Sequence, residues 1–257
     1  KNIVSIQGDG LDFLKLSKLH FDWIFLDPSR RHDSKGKVFL LTDCLPNVPE
    51  NLELLFDKAD RILIKTSPLL DLSVGLEELQ DVFEIHIVAV HNEVKELLWF
   101  LRKGMKGKVS IHTVNFGNFG IEKFNFVYPE EKEAVSDFGF PKKYLYEPNA
   151  AILKSGAFKS IGNRFGLKKL HEHSHLYSSD MLTEFPGRRF QILEVFPYNK
   201  RAIQKLNLDK ANITTRNFPE NVASIRKKLK IKEGGDVYLF FTKDMDGKLV
   251  MIRCSKV

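Results

Sequence analysis

Cysteine is nearly absent from this 257-residue chain, with Cys44 and Cys254 the only two. They stand far apart, without the Cys-x-x-Cys spacing of a zinc site or a redox pair, and two idle thiols fit a reducing, cytoplasmic setting better than a disulfide framework. No apolar run reaches the roughly 18 residues that a membrane-spanning helix needs, so no membrane partner is expected. The first residues lack the charged-then-apolar pattern of a secretory signal. Internal repeats and low-complexity stretches are missing too. What is present is ample apolar material: 43% of the residues are hydrophobic and 11% aromatic, enough for the cores of two ordinary domains.

The net charge of +7 is unevenly distributed. Residues 1–133 carry 17 Lys plus Arg against 21 Asp plus Glu, whereas residues 134–257 carry 23 against 12. A basic half of this kind is the electrostatic footprint of a nucleic-acid binder, whose affinity comes largely from phosphate contacts. A solubilising surface charge is the plainer alternative.

The run Phe21-Asp22-Trp23-Ile24-Phe25-Leu26-Asp27-Pro28-Ser29-Arg30-Arg31 stops abruptly at an acid, a proline and two arginines. Trp23 to Leu26 reads as a short strand buried on both faces. Its carboxyl end is a site candidate, because open α/β sheets bind ligands beyond the carboxyl ends of their strands. Pro28 has no N–H to donate, so strand pairing is expected to stop there. Around this run, Ile3 to Gln7 before Gly8-Asp9-Gly10 reads as a strand, followed by a helix. Arg61 to Thr66 and Val82 to Val90 read as further strands, with a helix near Glu50 to Lys58. The alternation implies βαβ units and an α/β sheet. Val94 to Leu101 is ambiguous, its spacing suiting a helix and its Trp and Phe a strand.

Beyond Glu131 the order changes. Asn149 is placed to cap a helix from Ala150 to Lys154 that Gly156 ends, and a second short helix stops at Gly166. Lys168 to Tyr177 alternates in strand fashion, which would put His171, His173 and His175 on one face; a polar face is expected there, with no metal. Strand, helix, strand and helix follow from Phe190, with Pro219 at the start of the last helix. A hairpin then pairs Val237–Thr242 with Leu249–Cys254 across Asp246-Gly247. Three segments result: 1–131, a connecting piece 132–185, and a small α+β domain 186–257.

Gly8-Asp9 followed by Asp27-Pro28-Ser29-Arg30 resembles the second half of a class I S-adenosylmethionine-dependent methyltransferase. Tyr146-Glu147-Pro148-Asn149-Ala150-Ala151-Ile152, Leu176-Tyr177, Pro186-Gly187-Arg188-Arg189-Phe190 and Thr215-Arg216-Asn217-Phe218-Pro219 resemble bacterial methyltransferases with a THUMP-like domain. The resemblance implies a Rossmann-like first domain, a ferredoxin-like connecting segment and a THUMP-like α+β domain. It also implies S-adenosylmethionine as cofactor, with Gly8, Asp9, Gly10 and Asp27 beside it and Asp27, Pro28, Ser29 and Arg30 at the reaction. The family's glycine-rich loop precedes neither Gly8 nor any other strand-to-helix junction here, so the chain is expected to be a carboxyl-terminal fragment, inactive alone.

The motif's last position departs from amino-group methyltransferases, which place an aromatic there to stack a flipped base. Arg30 can stack but cannot accept a hydrogen bond. Asp-Pro-x-Arg is closer to the uracil-carbon enzymes, but Lys65-Thr66-Ser67-Pro68 stands where they carry a nucleophilic Cys, and a hydroxyl without an adjacent base is a weak nucleophile. Transfer to a nitrogen or oxygen is left, with Asp27 as orienter or proton acceptor and Ser29 and Lys65 as neighbours. Arg188, Arg189, Arg216, Lys227 and Lys228 are the expected contacts to structured RNA such as rRNA or tRNA. Two alternatives stand beside this reading: a non-catalytic RNA-binding module on a degenerate scaffold, and a methyltransferase acting on protein or a small molecule.

Overall fold

A computed structural model describes residues 3–30, 40–118, 120–206 and 208–257. Arg31, the Ser34–Lys37 loop and Val38 lie outside the described residues. The chain divides into two compact units, Lys1–Pro129 and Glu130–Val257.

In the first unit, helix α1 (Gly10–Leu16) is followed by strand β1 (Ile24–Leu26), the short pair β2 (Ser29–Arg30) and β3 (Cys44–Leu45), helix α2 (Val48–Lys58), β4 (Arg61–Thr66), helix α3 (Leu72–Glu78), and β5 (Val82–Val90), β6 (Glu93–Arg102), β7 (Ser110–Gly117) and β8 (Gly120–Val127). The six-stranded sheet runs in the order β1-β4-β6-β5-β7-β8. β1 and β4 are parallel, as are β5 and β7. β6 runs antiparallel between β4 and β5. The first unit is therefore an α/β layer built on a mixed sheet with parallel pairs at β1–β4 and β5–β7. The Val94–Leu101 stretch resolves as strand because its alternate residues Leu97, Trp99 and Leu101 are fully buried while Leu98 and Phe100 face the other side.

Period-two alternation gives the sheet two unlike faces. Ile62, Ile64, Ile85, Ile87, Trp99 and Ile111 line one, and all are fully buried. The Trp99 indole donates to Thr66 Oγ1 at 2.9 Å and lies under α3, where Gly75 leaves it room; a Cβ there would sit 2.7 Å from Cζ2. Lys65, Glu84, His86, Phe100 and His112 line the other, more open face.

Two expectations fail in this unit. Ile3 to Gln7 forms no strand, and Ile3, Val4 and Ile6 are exposed. Among the described residues β1 lies at the sheet edge and pairs only with β4, and it is not buried on both faces, since Trp23 and Phe25 are 42% and 58% exposed. An apolar run reports a strand that can be covered on both sides, not the presence of the cover.

The second unit carries α4 (Tyr128–Glu133, starting in the preceding unit), β9 (Tyr144–Pro148), α5 (Ala150–Ser155), α6 (Ser160–Phe165), β10 (Lys168–Lys169), β11 (Tyr177–Ser179), β12 (Gly187–Pro197), α7 (Lys200–Lys205), β13 (Asn212–Thr215), α8 (Val222–Leu229), β14 (Val237–Lys243) and β15 (Leu249–Lys256). One seven-stranded sheet, β10-β11-β9-β12-β15-β14-β13, joins the connecting segment to the α+β portion. The central strands are apolar on both sides. Phe190, Phe240, Ile252 and Cys254 pack in one cluster, and Leu239, Phe241 and Met251 pack in another with Ile225 of α8. Burial pushes the Cys254 thiol up to about 12, which makes it an inert core residue.

The caps fall where expected: Asn149 accepts from Ile152 N, and Gly156 and Gly166 end their helices in the left-handed conformation. Pro219 does not open α8. Asn221 caps that helix, and Pro219 lies in the approach to it. Lys168 to Tyr177 is not a continuous strand either, since residues 172–174 form a turn between β10 and β11.

Candidate functional site

The crevice at the carboxyl ends of the parallel strands β1 and β4 is a cleft of about 380 Å³ lined by Asp27, Pro28, Lys65, Thr66, Ser67, Pro68, Leu69, Lys95 and Glu96. β1 delivers Asp27 at its end and β4 delivers Lys65, and the two meet in an ion pair of 2.6 Å between Oδ2 and Nζ. The hydrogen bond to Asp27 holds the Lys65 ammonium above the usual lysine range, so Lys65 is a fixed positive charge and no base. Pro28 is buried and pairing of β1 ends before it. Ser29 is spent on structure, since it belongs to β2, faces Leu45 across the β2–β3 pair and has its Oγ 3.5 Å from the Leu45 carbonyl. Arg30 shares that pair and its backbone partners Cys44; its side chain is outside the described atoms. Lys95 and Glu96 join the cleft from β6, unannounced by any motif, because only the antiparallel insertion of β6 beside β4 brings them there.

Gly8, Asp9 and Gly10 form the start of α1. Asp9 Oδ1 accepts from Leu11 N at 2.8 Å and Asp12 N at 3.2 Å as the helix cap. Gly8 takes a φ of +155°, the backbone region that suits glycine.

In the second unit, three stretches distant in sequence converge on one carboxylate. Glu147, with 4% of its side chain exposed, accepts from Arg188 Nε at 2.7 Å and is also paired with Arg188 Nη2. Its other oxygen lies 2.7 Å from Arg216 Nη2, in ion-pair contact without an aimed hydrogen bond. The two guanidinium side chains keep 37% exposure each. The Arg216 Nε is enclosed and has no hydrogen-bond partner among the described residues. Glu147 was not among the residues singled out from the sequence, although it sits in the Tyr-Glu-Pro-Asn stretch. Of the other expected RNA contacts, Arg189 pairs with the exposed Glu184 at 2.6 Å, and Lys228 bonds Glu220 and Tyr198. Lys227 is exposed in the last turn of α8.

The three histidines do not share a face. His171 Nδ1 meets Asn217 Nδ2 at 3.1 Å, His173 is exposed, and His175 stacks on Phe158 with ring centroids 3.6 Å apart. Burial, reinforced by Lys169, His173 and Arg216, lowers His175 from the ordinary 6.5 to about 4. A folded-state value below the unfolded one means that protonation favours unfolding. The contribution is therefore complete above pH 6.5 and is lost as the pH falls from there through 4. Thermal unfolding between pH 7.5 and 4.5 should show a steeper loss for the parent than for His175→Asn, a residue that tolerates the positive φ of 51° here. Parallel curves would remove His175 as the cause.

Residues 144–186 match a ferredoxin-like domain family, and residues 187–256 match the family described as THUMP domain-like. The second unit is a ferredoxin-like domain followed by a THUMP-like domain. No protein in the search of curated sequences matches the chain. Among solved structures, the crystal structure of a "putative methyltransferase from Porphyromonas gingivalis W83" is similar at 37% identity with a TM-score of 0.89. The similarity covers 97% of this chain and 63% of that one. Glu147 lies in the ferredoxin-like domain and both arginines lie in the THUMP-like domain, so the ion cluster ties the two together through side chains as β9 and β12 do through the backbone.

Proposed function

We propose that the chain works in S-adenosylmethionine-dependent methyl transfer to a nitrogen or oxygen of RNA, with Asp27 at the reacting edge and the THUMP-like domain docking the RNA. The observation that carries this reading is the Asp27–Lys65 pair in the crevice beyond parallel strands, in a chain 37% identical to a protein described as a methyltransferase. The residues fit the cofactor along one edge: Asp9 uses only Oδ1 for capping and keeps Oδ2 for a ligand, and nothing lies within 4 Å of where a Cβ would stand on Gly8 or Gly10. When bound, S-adenosylmethionine supplies a methyl group made electrophilic by its positively charged sulfur.

Asp27 presents a carboxylate held by the Lys65 ammonium at Oδ2, which leaves Oδ1 to accept a hydrogen bond. It therefore orients the substrate N–H or O–H, and the proton leaves to solvent or a neighbouring base. No cysteine lines the cleft, in keeping with direct transfer rather than a covalent adduct. The net positive charge of residues 134–257 supports an RNA partner.

The test is methylation of RNA from cells lacking the gene by the full-length gene product, read by nucleoside mass spectrometry. Asp27→Ala should cut turnover at least about a hundredfold with a smaller change in cofactor affinity. A wild-type protein that methylates no nucleoside would leave the scaffold reading. Docking is tested at Arg189, Lys227 and Lys228, since changing Arg188 or Arg216 would also break the Glu147 cluster. Their alanine variants should weaken RNA binding and flatten its salt dependence; an unchanged salt slope would count against docking through this surface.

A further inference from the structure

The open face of the first sheet holds a group of ligand atoms that takes no part in the reading above. Glu84 and His86 stand two residues apart on β5, so their side chains share a face. His112 on the parallel neighbour β7 lies in direct register with His86. His86 Nε2 is 3.2 Å from Glu84 Oε2, and the His86 and His112 rings lie 4.7 Å apart at 38°. One donor atom from each of the three lies within 4.8 Å of the other two. Nε2 of His112 is enclosed and has no hydrogen-bond partner among the described residues, an arrangement that costs free energy unless something supplies a partner.

From this juxtaposition we propose that Glu84, His86 and His112 form a binding site for a divalent transition-metal cation, of which zinc is the natural probe. Two imidazoles and one carboxylate make a nitrogen-rich donor set that suits zinc and its neighbours rather than magnesium or calcium. Three protein ligands leave a fourth position for water, the arrangement of an open site rather than a closed structural one. Bonds of about 2.0–2.2 Å need donor atoms about 3.4 Å apart, so binding draws the His112 ring inward and exchanges the His86–Glu84 hydrogen bond for two metal bonds. Phe100, 4.7 Å from His86 between ring centroids, backs the site on one side. Burial holds the His86 imidazole below the usual histidine range, consistent with a ligand that need not lose a proton near neutrality. Because the ligands come from two strands, the cation cross-links β5 to β7.

The experiment is titration of the 257-residue chain with zinc chloride, followed by calorimetry and by the shift of its thermal unfolding. One zinc per chain is expected at micromolar affinity or tighter. His86→Ala and His112→Ala should each weaken it at least about tenfold, Glu84→Gln should weaken it less, and His173→Ala should leave it unchanged. Zinc should raise the unfolding temperature of the parent and not of His86→Ala. If His112→Ala does not fold, His86→Gln carries the test, because His86 is partly exposed. Absent saturable binding, equal affinity in the His86 variants, or loss on His173→Ala would each overturn the assignment.

Discussion

Replacing Gly187 by alanine should destabilise the second unit by about 4 kcal/mol, lowering its unfolding temperature by on the order of 15 °C. Gly187 opens β12 opposite Pro148 of β9, with a φ of +154° that side chains rarely adopt. An added Cβ would lie inside the contact distance of the Glu147 carbonyl oxygen and 2.9 Å from Asn149 N. Those atoms are backbone, so no rotamer change relieves the clash; the strand must move or the pairing must open. Gly187 also sets how closely the next residue, Arg188, approaches Glu147, so the variant should loosen that ion pair as it loses stability. A melting temperature within a few degrees of the parent would show that β9 can yield.

Glu147→Gln keeps the shape of the carboxylate and removes its charge. Breaking a fully buried ion pair costs roughly 3–5 kcal/mol, most of it from the charge left behind. Here Arg188 and Arg216 are more than a third exposed and can recover some hydration, so about 2–3 kcal/mol is expected. Two facing guanidinium groups without their shared anion should also respond to salt, with added chloride restoring part of the loss. The double variant Glu147→Gln/Arg216→Gln should be more stable than Glu147→Gln alone. Additive losses in thermal unfolding would instead mean that the cluster's geometry, not its charge balance, matters.

The pattern of what could be read in advance follows from which signals are local. Asn149, Gly156 and Gly166 were readable because a cap is decided within one turn of helix. The Val237–Cys254 hairpin was readable because Asp246-Gly247 fixes its turn. Trp23 to Leu26 reads as a strand from its own composition, but its place at an edge depends on a neighbour that composition does not report. The turn at residues 172–174 defeated an alternation that looked like a strand, since short polar repeats carry no burial to enforce period two. Asp27 and its neighbour Lys65 could be named as candidates from the sequence because strand ends are where α/β sheets bind ligands, and the structure pairs them in one cleft. Glu147 and the Glu84–His86–His112 group could not: each is assembled across strands whose register no single stretch specifies.

Trp99, sealed under α3 and bonded to Thr66, is one of only two tryptophans, and the other, Trp23, also lies in the first unit. Intrinsic tryptophan emission therefore comes from that unit alone, one fluorophore in an apolar setting and one partly exposed to water. A denaturant titration followed by fluorescence reports the opening of the first sheet and is silent on the second, while far-ultraviolet circular dichroism sees both. Any gap between the two midpoints measures, without labels, how independently the halves of this chain unfold.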